Sequence, residues 1–329
     1  MINKLYIRAD GNSEIATGHI MRCLAVASEV NALSDIPVSF IVSDRESREL
    51  LKSRILSFPQ DVNISSTVET DVPYRDPVSE LRFLRGLFTD EPKGFLLVDS
   101  YFTDNGYLSA LRDRVTLGYI DDLRAFDPEV DLLINYTPGD MPSYRAPGLV
   151  LSGPDYAPIR REFAEASFTV RERVSKIWIS CGGAGRDTAE MTEKALRSEW
   201  GKLKDQSGLP EICLLPPTSD MSGTLSEGDI LISAAGSTLY EACAMGLPAV
   251  SMVTADNQIP GAEAFQRLGV IKCAGDIRKG PDTMRNLADI IRSMTGDDKR
   301  DFRLGLSENM KRLVDGKGAR RIAEAILSF

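Results

Sequence analysis

The sequence predicts an α/β protein of two Rossmann-like domains that face an interdomain cleft. Three observations predict it. Short apolar runs alternate with amphipathic stretches of about 10–15 residues almost throughout, the pattern of parallel sheets covered by helices. Each half opens with a strand, a glycine-containing turn and a helix. The 329 residues suit two domains at about 100–200 residues apiece.

Strand-like runs cover residues 5–9, 37–42, 95–98 and 115–120, then 176–180, 211–215, 229–234, 248–253 and 270–273. They are short and continuously apolar, as strands buried on both faces require. After the first run, Ile20, Leu24 and Ala27 recur at i, i+4 and i+7, with Arg22 and Glu29 elsewhere on the wheel. This predicts an amphipathic helix. Met284, Leu287, Ile290 and Ile291 repeat the pattern. The turn-rich Gly153-Pro154-Asp155-Tyr156-Ala157-Pro158 and the charged Arg171-Glu172-Arg173 mark a boundary. They divide the chain into an N-terminal domain, 1–160, and a C-terminal domain, 161–329. A last helix near 319–327 is expected to pack back on the first domain.

Composition narrows the function. Lys plus Arg number 39 and Asp plus Glu 48, a net charge of −9 that suits no general nucleic-acid binder. A 43% hydrophobic fraction marks an ordinary globular protein, and no apolar run approaches the roughly 20 residues of a membrane span. Met1-Ile2-Asn3-Lys4 runs straight into a strand, so no leader is expected. Five dispersed cysteines read as reduced thiols in the cytoplasm. With His19 the one histidine, no histidine metal cluster can form; neither a metal nor a cofactor is expected.

Ligands in open α/β sheets sit at the carboxyl ends of the strands, so the turns there carry the chemistry. The first turn runs from Asp10-Gly11 to Gly18-His19. His19 falls in the first turn of a helix, where the dipole favours neutral imidazole, suited to take a proton from water. Asp10 is placed to orient it. A histidine that only caps or packs locally is the plain alternative. In Cys181-Gly182-Gly183-Ala184-Gly185, consecutive N–H groups before a helix suit an anion, though a glycine pair alone favours a tight strand–helix turn that holds no ligand. In Gly236-Ser237-Thr238-Leu239-Tyr240-Glu241, the first residues offer donors to phosphate and Glu241, one turn later, can accept from a ribose diol. Asn257 and Gln258 end the next strand with groups that suit sugar hydroxyls or acetamido groups. In the first half, Tyr101 and the pair Asp121-Asp122 also end strands, for substrate contact or for capping.

Together these segments resemble a known family. Arg8-Ala9-Asp10, Gly18-His19-Ile20-Met21-Arg22-Cys23-Leu24, Ile120-Asp121-Asp122-Leu123 and Ser152-Gly153-Pro154-Asp155-Tyr156-Ala157-Pro158-Ile159-Arg160-Arg161-Glu162-Phe163 carry the resemblance in the first half. Ser180-Cys181-Gly182-Gly183, Ala235 to Glu241 and Asn257-Gln258 carry it in the second. In this order they are similar to the nucleotide-sugar hydrolases of pseudaminic-acid biosynthesis (the PseG type) and the related spore-coat polysaccharide proteins, within the MurG-like GT-B superfamily. The resemblance implies a GT-B fold and a metal-independent hydrolase. Its substrate would be UDP-2,4-diacetamido-2,4,6-trideoxy-β-L-altropyranose, its product UDP, and water would attack the anomeric carbon with inversion. It assigns catalysis to His19, Tyr101 and Asn257. Substrate contacts fall to Asp10, Gly18, Asp122, Gly182, Gly183, Gly236, Ser237, Thr238, Glu241 and Gln258. The family's Asp-His-Tyr is here Asp99-Ser100-Tyr101, a change that bears on sugar specificity. Ala16, Cys181 and Tyr240 also depart from the family pattern. A GT-B glycosyltransferase using the same donor and a non-catalytic sugar-nucleotide binder are the alternatives.

Overall fold

The computed structural model describes residues 2–12, 14–15, 17–58, 60–89, 93–139, 144–145, 148–182, 185–202 and 209–329. The chain divides into two units. The first holds Met1–Tyr136, Asp140–Ile159 and Lys317–Phe329; the second holds Thr137–Gly139 and Arg160–Gly316.

The first unit is a seven-stranded parallel sheet. Its strands are β1 (Lys4–Ala9), β2 (Val38–Val42), β3 (Ser66–Glu69), β4 (Gly94–Asp99), β5 (Thr116–Ile120), β6 (Leu132–Asn135) and β7 (Leu149–Ser152). Helices α1 (Gly18–Leu33), α2 (Arg45–Leu56), α3 (Pro77–Leu87) and α4 (Asn105–Arg112) connect the early strands. The order is β3-β2-β1-β4-β5-β6-β7. Strand order therefore reverses between β1 and β4, which opens a crevice at their carboxyl ends. The central strands are mostly apolar because helices cover both faces: Leu5, Ile7, Phe40, Leu96 and Leu117 are wholly buried.

The second unit begins with the short α5 (Glu162–Glu165) and contains a five-stranded parallel sheet. Its elements are β8 (Lys176–Ser180), α6 (Arg186–Gly201), β9 (Glu211–Leu214), α7 (Met221–Ser226), β10 (Ile230–Ala234) and α8 (Ser237–Met245). They continue with β11 (Ala249–Val253), α9 (Ile259–Arg267), β12 (Lys272–Asp276), α10 (Asp282–Thr295) and α11 (Arg300–Leu313). The order β12-β11-β10-β8-β9 reverses between β8 and β10, so the second crevice lies between the ends of those two strands. Ile177, Ile179, Ile232, Leu287 and Ile291 meet in its core.

The final helix, α12 (Gly318–Leu327), belongs to the first unit and packs on α1. The approach is close at its start: a Cβ on Gly318 would fall 2.2 Å from the carbonyl oxygen of Ala157. With the sheet on one side and α12 on another, α1 is buried almost all round. Glu29 (4% exposed) therefore lies inside, 3.7 Å from Arg320 of α12, and Arg22 (7%) lies inside against the strand ends, rather than on an outer polar face. Strands β3, β6 and β7 have no counterpart among the runs expected from sequence. Each has four residues, and β3 and β7 are sheet edges whose exposed positions break the apolar run.

Candidate functional site

In the first unit the crevice between β1 and β4 is built around a charged cluster. His19 occupies the second position of α1, and its ring is nearly buried. Its Nδ1 lies 2.6 Å from Oδ1 of Asp99, the last residue of β4. An ionised carboxylate only accepts hydrogen bonds, so this contact, shorter than the 3.1 Å from Nδ1 to Arg22 Nη2, assigns the proton to Nδ1 and leaves the lone pair on Nε2. Arg22, one turn along α1, makes a fork on the same carboxylate: Nε donates to Oδ2 at 2.5 Å and Nη2 to Oδ1. Its Nη1 donates to Asp122 Oδ2 at 2.8 Å and to the Tyr136 hydroxyl. One guanidinium thus ties together the carboxyl ends of β4, β5 and β6. Burial alone would raise the Asp99 carboxyl, but the charges and hydrogen bonds of Arg22 and His19 outweigh it and hold Asp99 well below the usual carboxylate range.

Tyr101 completes the cluster. Its ring meets the His19 ring edge-on, with centroids 4.5 Å apart, and its hydroxyl donates to Asp122 Oδ2 at 3.0 Å. Burial and the charge of Asp122 push the Tyr101 phenol up, so it stays a donor. Gly18 opens α1 with no described atom within 4 Å of an added Cβ, no side-chain cap and no acidic residue in the first turn. Among the described residues no side chain caps the N–H groups that the first turn of a helix leaves without helical partners.

The structure thus brings His19, Tyr101 and Asp122 together, with Gly18 alongside. Asp10 does not join them. Its carboxylate accepts from the Ser43 backbone N–H at 2.7 Å and pairs with Arg8 Nη2 at 2.6 Å, fastening the end of β1 to that of β2. The carboxylate that orients His19 is Asp99, to which sequence reasoning gave no role; its signal was its place at the end of the strand across the switch point. Arg22 was also missed, because helical periodicity alone puts it on a solvent face. Asp121 acts as a cap, accepting from the Arg124 backbone N–H at 2.7 Å and the Tyr144 hydroxyl at 2.9 Å.

In the second unit the remaining residues line the carboxyl edge of the sheet. Gly182 follows β8 with φ of +79°, a backbone state that favours glycine, and its carbonyl accepts from Gly185 N–H at 3.1 Å. Gly183 and Ala184 lie outside the described residues, as do Ser13 and Ala16. Beside this turn, Gly236 ends the loop after β10, and a Cβ there would meet no described atom within 4 Å. Ser237 and Thr238 open α8, whose first turn has no side-chain cap and no acidic residue. Glu241 follows one turn later. Its Oε1 accepts from Arg160 Nη2 at 3.2 Å. Asn257 is exposed in the turn after β11, and Oε1 of the Gln258 side chain locks that turn by accepting from Thr254 N–H at 2.9 Å and its hydroxyl at 3.1 Å. Burial raises the Cys181 thiol to about 11, which keeps it protonated near neutral pH. Among the described residues no three His, Cys, Asp or Glu side chains converge to hold a metal ion.

No protein-family model matches the chain. It is 24% identical over 219 residues to the spore coat polysaccharide biosynthesis protein SpsG of Bacillus subtilis (strain 168), a match spanning 58% of this chain and 63% of that protein. Among solved structures it resembles MurG of Acinetobacter baumannii with a TM-score of 0.65 at 15% identity, over 99% of this chain and 100% of that one. It also resembles the UDP-GlcNAc 2-epimerase of Neisseria meningitidis bound to UDP-GlcNAc, with a TM-score of 0.62 at 14% identity over 99% and 100% of the two chains. The two parallel-sheet units have the GT-B fold of these proteins. No helix among the described residues is long and apolar enough to cross a membrane.

Proposed function

We propose that the protein is a metal-independent nucleotide-sugar hydrolase. It would release UDP from a UDP-diacetamido-trideoxyhexose by attack of water at the anomeric carbon with inversion, in the biosynthesis of a nonulosonic (pseudaminic-type) acid or a surface polysaccharide. The observation that carries this reading is the His19–Asp99 pair, which leaves Nε2 of the single histidine as a base.

In this reading Nε2 takes one proton from water as the water oxygen bonds to the anomeric carbon. The bond from that carbon to the phosphate oxygen breaks, and UDP leaves with the electron pair. Asp99 stabilises the imidazolium that forms, and the proton then passes to solvent. The N–H groups of Ser237 and Thr238 at the start of α8, with the Gly182 turn, would receive the diphosphate and its developing charge. Glu241 would hold the ribose. Tyr101, Asp122 and Asn257, with the Gln258 amide, would hold the sugar for in-line attack. The likeness to SpsG supports the pathway class, and the fold shared with a UDP-GlcNAc-bound epimerase supports the donor class. All five cysteines are unpaired, as a reducing compartment leaves them, and we place the protein in the cytoplasm.

A second reading, a GT-B glycosyltransferase, is favoured by the match to MurG, and there the same base would act on an acceptor hydroxyl. The test is incubation with a panel of UDP-sugars in ¹⁸O-labelled water without acceptor, followed by the anomeric proton signals. Hydrolysis yields UDP and an inverted sugar carrying the label. UDP release that waits for an added acceptor supports the transferase, and binding without turnover supports a binding protein.

A further inference from the structure

The segment Arg160-Arg161-Glu162-Phe163 carries part of the family resemblance, yet takes no part in the chemistry above. Its geometry gives it one. Arg160 is only 7% exposed, and its guanidinium serves two carboxylates. Nη2 donates to Glu241 Oε1 at 3.2 Å, while Nη1 pairs with Glu162 Oε1 at 2.8 Å. The Phe163 ring lies 4.8 Å from the guanidinium carbon, a cation–π contact that fixes its plane. Burial pushes the Glu162 carboxyl up; Arg160 opposes that, and the charges of Glu241 and Asp220 reinforce it. Glu162 and Glu241 thus share one cation.

The consequence falls on Glu241. It projects from the middle of α8 on a side chain that would otherwise sample several rotamers. Arg160 takes one of its oxygens, and among the described residues Oε2 accepts no hydrogen bond. A carboxylate held by one oxygen and open at the other is pre-organised for vicinal hydroxyls. We propose that Arg160, braced by Glu162 and Phe163, is a positioning residue that fixes Glu241 for a ribose 2′,3′-diol, so that the protein selects ribonucleotide over 2′-deoxyribonucleotide sugar donors. This rests on the reading of Gly236 to Glu241 as the nucleotide site.

The experiment is calorimetric titration of the full chain with UDP and with 2′-deoxy-UDP. The wild-type protein should prefer UDP by roughly 10- to 100-fold, the worth of one hydrogen bond to a charged acceptor. Arg160→Met should bring the two affinities within about threefold, chiefly by weakening UDP, since the freed Glu241 loses its orientation. Arg160→Lys should restore part of the preference. Glu162→Gln, which keeps the arginine but loosens its brace, should lower the ratio part-way, and it carries the test alone if Arg160→Met does not fold. An unchanged ratio in these variants, or equal loss of both nucleotides, overturns the proposal. Equal binding of the two nucleotides by the wild-type protein overturns it while leaving the nucleotide site standing. Binding of neither overturns the nucleotide site and this proposal with it.

Discussion

Replacing Asp99 by Asn changes one oxygen to an amide nitrogen at the centre of the charged cluster, and the structure sets the size of the effect. The carboxylate faces donors on both oxygens: Oδ1 receives His19 Nδ1 at 2.6 Å and Arg22 Nη2, and Oδ2 receives Arg22 Nε at 2.5 Å. An Asn side chain must turn its NH₂ toward one set of them. In the place of Oδ2 the NH₂ meets one donor, Arg22 Nε, at about 1–3 kcal/mol for the unmet groups. In the place of Oδ1 it meets Arg22 Nη2 and also requires His19 Nδ1 to become an acceptor. The first arrangement wins, so the amide oxygen still accepts from Nδ1 and the ring keeps its tautomer. The imidazolium, however, loses its counter-charge, worth about 4 kcal/mol at about 4 Å and an effective dielectric constant of about 20. The expected fall in turnover is about 10³-fold, with UDP affinity unchanged. Arg22 keeps Asp122 as a partner at 2.8 Å, so the stability cost should sit near the lower end of that for a broken buried pair, about 3 kcal/mol. Because His19 is the only histidine, ¹⁵N-histidine labelling gives one ring to observe, alongside steady-state turnover. Both the wild-type ring and the variant ring should carry the proton on Nδ1, so the loss of turnover reports the lost charge and not a changed tautomer. Wild-type turnover in Asp99→Asn, or a wild-type ring protonated on Nε2 alone, would refute the reasoning.

Other perturbations follow from the same coordinates. The folded Asp99 carboxyl is depressed, so its ionisation stabilises the fold fully above the unfolded value near 3.9 and is lost as pH falls below it; urea midpoints of wild type and Asp99→Asn should therefore converge below about pH 4, and a constant gap down to pH 2 would contradict this. Gly236→Ala adds a methyl that meets no described atom within 4 Å at a φ of −112°, so thermal unfolding should be unchanged while UDP affinity falls by at least about tenfold, because the ligand needs that space. Gly246→Ala should cost about 1–3 kcal/mol in urea unfolding, since Gly246 ends α8 at φ of 76° and a Cβ would fall 2.4 Å from Lys311 Cε.

Much of the architecture is visible in the sequence for a simple reason: strands buried on both faces must be mostly apolar, and β1, β2, β4, β5, β8, β10 and β11 announce themselves so, while β9 and β12 at the edges of the second sheet show only short runs, that of β12 overlapping its first two residues. Edge strands escape this rule. Ser66–Glu69 and Leu149–Ser152 each have a side that is solvated or partly so, and their polar or turn-rich surroundings hide them. The site divides along the same line. Glycines and hydroxyls at strand ends can be read because a tight turn before a helix limits what fits there. The partner of His19 could not be read locally, because Asp99 is 80 residues away and reaches it only through the β1–β4 pairing. Arg22 was hidden because its partners Asp99, Asp122 and Tyr136 are 77 to 114 residues away and meet it only at the strand ends of the assembled sheet. Asp10 shows the converse: adjacent to the glycine turn in sequence, it is committed to Ser43 and Arg8 instead.

The account stands on His19 as the base that activates water. The most direct measurement is single-turnover release of UDP from the accepted UDP-sugar by His19→Ala, at concentrations where calorimetry shows the variant saturated with UDP. The account predicts intact UDP binding and a release rate lower by about 10²–10⁴-fold, the contribution of a positioned general base. A release rate equal to that of the wild-type protein would contradict it.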